Sequence, residues 1–278
     1  MATEERLTLL DALLAAGIDP SRIMPGTGCC SITETVTLTA HAVKHGCAGV
    51  LMLPPFYYKN VTDRGLYDYF SEVVQRVGDT RLKIYLYHIP SVAIVGVTAK
   101  LVERLLKAYP NTIAGMKDSS GDWNNTKTFL DAFASNGFDV FVGSESFLLA
   151  NMRNGGVGTI SATANVNPAA IHKLYQKCSG GFSNSRSNGK ALGRSASTTE
   201  LEREQARLNV VRDVFTSRTF PSMIAAVKQA LAIYRNEPEW TRMRPPLVEL
   251  TIKQAELLAA ELKAIRFAIP GVEAEAAT

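Results

Sequence analysis

Residues 84–120 constrain this chain more tightly than any other stretch. Ile84-Tyr85-Leu86-Tyr87-His88 and Ile113-Ala114-Gly115-Met116-Lys117 are short apolar runs, each ending in a reactive side chain. Residues 98–109 between them read as a helix, so the order is strand, helix, strand. That order marks a parallel βαβ unit, whose two strands point the same way. Tyr87 and Lys117 are therefore expected at the same edge of one sheet. An apolar strand seldom closes on lysine, because burying an unpaired ammonium is costly. An amine kept neutral by its surroundings is a nucleophile, and a nearby phenol can carry protons. These residue types in this order point to a lysine that forms a Schiff base, assisted by a tyrosine.

The same rhythm runs along most of the chain. Residues 4–16 carry Leu7, Leu9, Leu10, Leu13 and Leu14 at helical spacing, and Gly17 ends the pattern. A short strand at 23–25 runs into Gly26-Thr27-Gly28. Ser31 and Glu34 form a capping-box pattern that opens a helix to about residue 45. Residues 48–53 suit a strand buried on both faces, and an aromatic loop, Pro55-Phe56-Tyr57-Tyr58, follows. After a helix at 65–77 and the 84–117 unit come a helix at 124–134, a strand at 139–142, a helix to 153 and a strand at 159–162. Pro168 suits the first turn of a helix ending near residue 176. Six strand–helix repeats without a long antiparallel section give an α/β class with a parallel sheet. An open doubly wound sheet and part of an eight-stranded barrel both satisfy this pattern.

The rhythm breaks at residues 178–199, a Ser-, Gly- and Asn-rich stretch that reads as a low-complexity linker or insertion. Amphipathic helices follow at about 201–215, 222–234 and 252–267, and residues 272–278 are expected to fray. The expected organisation is a (β/α) portion over 1–177, the linker over 178–199 and C-terminal helices over 200–278.

Composition narrows the function classes. The net charge of +4 is carried by dispersed residues, which argues against a nucleic-acid partner. Cys29, Cys30, Cys47 and Cys178 include no Cys-x-x-Cys pair and read as reduced thiols of a cytoplasmic protein. His41 and His45 lie on one helix, but no third ligand follows them in sequence, so no metal site is expected. The segment 155–158 lacks the spacing of a dinucleotide loop. No apolar signal segment opens the sequence and no run is long enough for a membrane span.

Taken in order, Gly26-Thr27-Gly28, Pro55-Phe56-Tyr57-Tyr58, Tyr87-His88-Ile89-Pro90, Gly115-Met116-Lys117-Asp118-Ser119, Gly143-Ser144-Glu145 and residues 158–166 resemble the dihydrodipicolinate synthase / N-acetylneuraminate lyase family of lysine-dependent pyruvate aldolases. The resemblance implies a (β/α)8 TIM-type barrel with a C-terminal helical region, and a site at the C-terminal ends of the strands. It implies a Schiff-base lyase or aldolase acting on pyruvate or a related 2-oxo acid and an aldehyde. Lys117 then forms the imine, Tyr87 relays protons, and Tyr58 reaches a neighbouring copy's site in a homo-oligomer, dimer or tetramer. The Ile160 carbonyl faces the keto acid, and Ser119 and Glu145 meet the second substrate. His88 is a further pocket candidate. The imine is itself the electron sink, so no cofactor is expected.

The sequence departs from the family pattern in three places. The family's usual opening, two strands and a helix whose second strand ends in a Gly-Thr-Thr-Gly-Glu or Gly-Ser-Thr-Gly-Glu loop, does not occur in it, which gives six strands where the barrel has eight. The synthase pattern Tyr-Asn-x-Pro-x-Arg-Thr-Gly reads Tyr87-His88-Ile89-Pro90-Ser91-Val92-Ala93-Ile94 here. Val92 cannot make the charged contact that an arginine offers to the carboxylate of aspartate semialdehyde. Residues 178–199 match nothing in the pattern. The alternatives are a 4-hydroxy-tetrahydrodipicolinate synthase proper and a catalytically dead truncated paralogue.

Overall fold

The computed structural model describes residues 1–181 and 197–269. The chain divides into two compact units. The first comprises Met1–Gly143 with Asn154–Val157, and the second comprises Ser144–Arg153 with the described residues from Gly158 onward.

The first unit contains helices α1 (Thr3–Ala15) and α2 (Ile32–Lys44), strand β1 (Val50–Met52), α3 (Asp63–Val77), β2 (Ile84–His88), a single turn α4 (Pro90–Ala93), α5 (Ala99–Ala108), β3 (Ile113–Asp118), α6 (Trp123–Phe133) and β4 (Asp139–Val142). Local chemistry fixes where the helices begin. Ser31, Thr62, Thr98 and Asp122 accept hydrogen bonds from the first free backbone N–H groups of α2, α3, α5 and α6, each cap stabilising by about 1 kcal/mol. Gly78, at φ 60°, ends α3 in a left-handed conformation. The expected capping box on α2 is half made. Ser31 caps, but the Glu34 carboxylate accepts from the Thr3 hydroxyl at 2.8 Å and so ties α1 to α2.

The strands run parallel in the order β1-β2-β3-β4. The register pairs Met52 with Leu86, Tyr87 with Lys117, and Lys117 with Phe141. Ile84, Leu86 and His88 are buried, whereas Tyr85 and Tyr87 are half-buried, as the two-residue repeat of a strand requires. The buried face joins Val50, Met52, Met116 and Val140 to Phe70, Leu101, Leu105 and Phe129 of the helices in one apolar core. Each such side chain contributes roughly 1.5–3 kcal/mol of burial free energy.

The strand expected at 23–25 reduces to a single bridge between Gly26 and Leu51. Leu51 N donates to Pro25 O at 2.9 Å, and Thr27 N donates to Leu51 O at 3.0 Å. Pro25 has no N–H to extend this ladder. Five named strands, not six, are therefore present among the described residues.

The second unit holds α7 (Leu148–Arg153), the short strand β5 (Gly158–Thr159), α8 (Pro168–Gly181), α9 (Thr198–Phe215), α10 (Met223–Arg235) and α11 (Ile252–Ala264). α8 runs beyond the end expected near residue 176. The reason is its contact with α9: Lys177 Nζ donates to Glu200 at 2.5 Å and to Glu204 at 3.1 Å, and Cys178 is buried with Leu174 and Leu201. The opening of the expected linker is thus helical. Its residues 182–196 lie outside the described residues, as does the tail 272–278.

Candidate active site

Adjacent parallel strands at matched register bring Tyr87 and Lys117 together. They are direct partners across β2 and β3. Lys117 Nζ donates to Tyr87 Oη at 3.1 Å and stands 4.3 Å from the centre of the phenol ring. Both side chains are half-buried, on the face of the sheet opposite the helices. An amine and a phenolic hydroxyl in hydrogen-bond contact can pass a proton between them.

Beneath this pair lies a floor that the motifs do not announce. Tyr85, on the same face as Tyr87, donates to Asp139 Oδ2 at 3.1 Å and meets the Phe141 ring with centroids 5.8 Å apart. Burial, and then the Asp139 carboxylate, push the Tyr85 phenol up to about 12, so it stays protonated. Gly49 and Gly115 form its slot. A Cβ at Gly49 would stand 2.9 Å from the Tyr85 ring, and one at Gly115 would stand 2.9 Å from the ring and 2.3 Å from Asp139 O. A glycine inside a strand signals such close approach, but not which ring occupies the space.

Ser119 follows Lys117 at the end of β3. Its N–H donates to His88 O at 2.7 Å, and Gly143 N donates to Asp118 O at 2.7 Å, which carries the ladder past the strand ends. Ser119 Oγ fills the space of an absent side chain at Gly143, 1.9 Å from where a Cβ would be. Ser119 therefore sits beside Lys117 because Gly143 is glycine.

His88, the further pocket candidate, faces away from Lys117. It neighbours Tyr87 along the strand, so the pleat turns it to the opposite face, among the helices. There it is buried, accepts from Val97 N at 2.9 Å through Nδ1, and lines a cavity of about 450 Å³ with Lys59, Ile94, Asn125 and Phe129. Burial holds its imidazole below the ordinary range, against the pull of Asp118. Asp118 is itself buried and accepts from Ser120, Asn125 and Thr126. This pair supports the strand ends and does not share a face with Lys117.

Tyr58 projects from the loop after β1 and is 75% exposed, edge-to-face with Tyr57 at 74%. Lys59, just beyond them, donates to Phe56 O and, at 3.5 Å, to Ala93 O. It fastens the aromatic loop to the turn that follows Tyr87. In that turn Val92 is 73% exposed, and Ile94 has φ 64°. A β-branched residue at positive φ is strained, and the family pattern has glycine there.

Glu145 and Ile160 belong to the second unit. Ile160 follows β5 and is half-buried. Glu145 is completely buried and fully engaged. Its carboxylate accepts from Ser161 Oγ at 2.5 Å, from Thr163 Oγ1, and from Arg212 Nη1 at 2.9 Å. Gln205 donates to its carbonyl at 2.9 Å. This is a structural hub, and sequence reading missed it because Arg212 lies far along the chain on α9.

Sequence reading also left His41 and His45 without a third potential metal ligand. The fold supplies one, Asp11 of α1, whose carboxylate oxygen lies within 4.8 Å of both imidazole nitrogens.

The sequence profile of the Dihydrodipicolinate synthetase family matches residues 1–265. The chain belongs to that family. An uncharacterized DapA-like lyase of Chloroflexus aurantiacus is 29% identical over 266 residues, covering 95% of this chain and 80% of that protein. A 4-hydroxy-tetrahydrodipicolinate synthase of Thermus thermophilus is 39% identical over 179 residues, covering 64% of this chain and 58% of that protein. Crystal structures of dihydrodipicolinate synthases from Agrobacterium tumefaciens and Aquifex aeolicus superpose with TM-scores of 0.78 and 0.78, at 29% and 25% identity. They match 95% and 98% of this chain and 82% and 84% of their own. The family is one of carbon–carbon lyases and aldolases that use pyruvate, and its fold is the (β/α)8 barrel. The strand–helix repeats described above are part of such a barrel, which the described residues do not close. Among those residues no helix is long and apolar enough to cross a membrane.

Proposed function

We propose that this family member makes or breaks a carbon–carbon bond between pyruvate, or a related 2-oxo acid, and an aldehyde, through a Schiff base on Lys117. The observation that carries the reading is the 3.1 Å contact between Lys117 Nζ and Tyr87 Oη, on a strand end where barrel enzymes do their chemistry. The neutral amine attacks the ketone carbon. The departing oxygen leaves as water with one proton from the Tyr87 phenol and one from the nitrogen, which keeps its second proton in the protonated C=N bond that forms. Loss of a proton from the adjacent carbon yields an enamine, whose carbon adds to an aldehyde carbonyl. Hydrolysis frees the product and restores the amine. The reverse sequence cleaves the bond.

Tyr58 is proposed to complete the proton relay in a neighbouring copy. Its exposure together with Tyr57 supports this, since two exposed aromatics on one loop suit an interface. The Ile160 carbonyl is proposed to face the keto acid, with Ser119 near the second substrate. Val92 supports an aldehyde other than aspartate semialdehyde. The name of the Thermus relative favours the second reading, a 4-hydroxy-tetrahydrodipicolinate synthase.

Borohydride reduction in the presence of pyruvate tests the proposal. The expected result is a stable keto-acid adduct on the Lys117 peptide, absent in Lys117→Met and slowed about 10²–10⁴-fold in Tyr87→Phe. Folded protein with an unmodified Lys117 peptide refutes the proposal and leaves the inactive paralogue. Condensation with aspartate semialdehyde as fast as with any other aldehyde selects the synthase reading.

A further inference from the structure

We infer that Asp11, His41 and His45 form a binding site for a divalent transition-metal ion, with Zn²⁺ the best match, which clips α1 to α2. His41 lies in the last turn of α2 and His45, one turn on, is its C-cap with helical φ and ψ, so both rings project from one face. Their centroids are 4.5 Å apart. Asp11, on α1, meets them from across the helix pair, with one carboxylate oxygen 2.7 Å from His41 Nε2 and 3.6 Å from His45 Nε2. The second distance is too long for a hydrogen bond. Two imidazole nitrogens therefore converge on one oxygen that bonds only one of them.

Ligand atoms around a tetrahedral ion with bonds of 2.0–2.1 Å stand roughly 3.3 Å apart. The distances of 2.7 and 3.6 Å, with every pair of ligand atoms inside 4.8 Å, bracket that spacing. A modest swing of the Asp11 carboxyl makes room for the ion. The His41 proton that now faces Asp11 moves to Nδ1, so that each ring presents a lone pair. Two nitrogens and one oxygen suit a borderline ion such as Zn²⁺ better than the hard cations, which prefer oxygen. Three protein ligands leave the fourth position to water. The Thr3–Glu34 bond holds the same two helices together independently, so the ligands are pre-positioned before an ion arrives. The Asp11 side chain is exposed and the two imidazoles are partly so, and the site involves neither Lys117 nor Tyr87.

Isothermal titration of the metal-stripped full chain with zinc chloride tests this. One equivalent is expected to bind, with at least about tenfold weaker affinity in His45→Gln and in Asp11→Asn. Zinc is expected to raise the thermal midpoint of the parent and of neither variant, and circular dichroism establishes that the variants fold. Cobalt(II) provides an independent readout. A tetrahedral visible spectrum without a thiolate charge-transfer band is expected, because no cysteine participates. Absence of binding at saturating zinc, equal affinity in folded variants, or a thiolate band would each overturn the inference.

Discussion

Replacing Arg212 with methionine should cost the second unit about 3–5 kcal/mol, since removing one partner of a buried ion pair leaves the other charge uncompensated. The structure puts the value near the lower end. Glu145 is 0% exposed, but the Arg212 side chain retains 18% exposure, so water can partly reach the gap. Ser161 and Thr163 still donate to the carboxylate, which spares its hydrogen bonds but not its charge. Glu145→Gln removes the charge itself and should cost about 1–3 kcal/mol, because neighbouring hydroxyls must turn to accept from an amide. Combining both changes leaves no buried charge, so the double variant should lose roughly 2 kcal/mol less than the sum of the single losses. Urea denaturation followed by circular dichroism reads these values, provided the slope stays constant. Additive costs, or an Arg212→Met loss below about 1 kcal/mol, would refute the assignment of Glu145 as a hub. A role in binding the second substrate predicts the opposite pattern for Glu145→Gln, with stability intact and turnover reduced.

Three further outcomes follow from the first unit. Gly143→Ala drives a Cβ into Ser119 Oγ and should cost about 1–3 kcal/mol; adding Ser119→Gly should recover most of it in thermal melts. Ile94→Gly relieves the positive φ and should gain roughly 1 kcal/mol net of the added chain entropy; a loss on urea unfolding would show that the side chain matters more than its backbone. Burial pushes the phenols of Tyr69 and Tyr85 up to about 12, against about 10 in an unfolded chain. Their folded forms hold the proton more tightly, so the stabilisation is complete below pH 10 and is lost as pH rises through 12. An ultraviolet titration should show both ionising late among the nine tyrosines, together with unfolding; ionisation near pH 10 in folded protein would contradict this.

What could be read from the sequence was local or periodic. The β2–α5–β3 unit follows from two apolar runs around a helix, and parallel pairing then obliges Tyr87 and Lys117 to meet. The position of His88 was also legible, since neighbours on a strand face opposite ways, but its place beside Tyr87 in a motif obscured it. The bridge at Gly26 reads as a strand in sequence because three apolar residues look alike whether or not proline removes a donor. Arg212 on Glu145, and Asp11 on the two histidines, join residues far apart in the chain. No spacing rule reports such contacts.

The slot around Tyr85 has a historical consequence. Ring, flanking glycines and acceptor occupy one fixed volume, so none of these positions can drift alone. A methyl group added at residue 49 meets the ring unless residue 85 has already shrunk, whereas one added at residue 115 also meets the Asp139 backbone carbonyl, which no change at residue 85 removes. Substitution at residue 49 therefore has a compulsory order, the ring yielding before the glycine grows, and residue 115 stays closed to a side chain by that route.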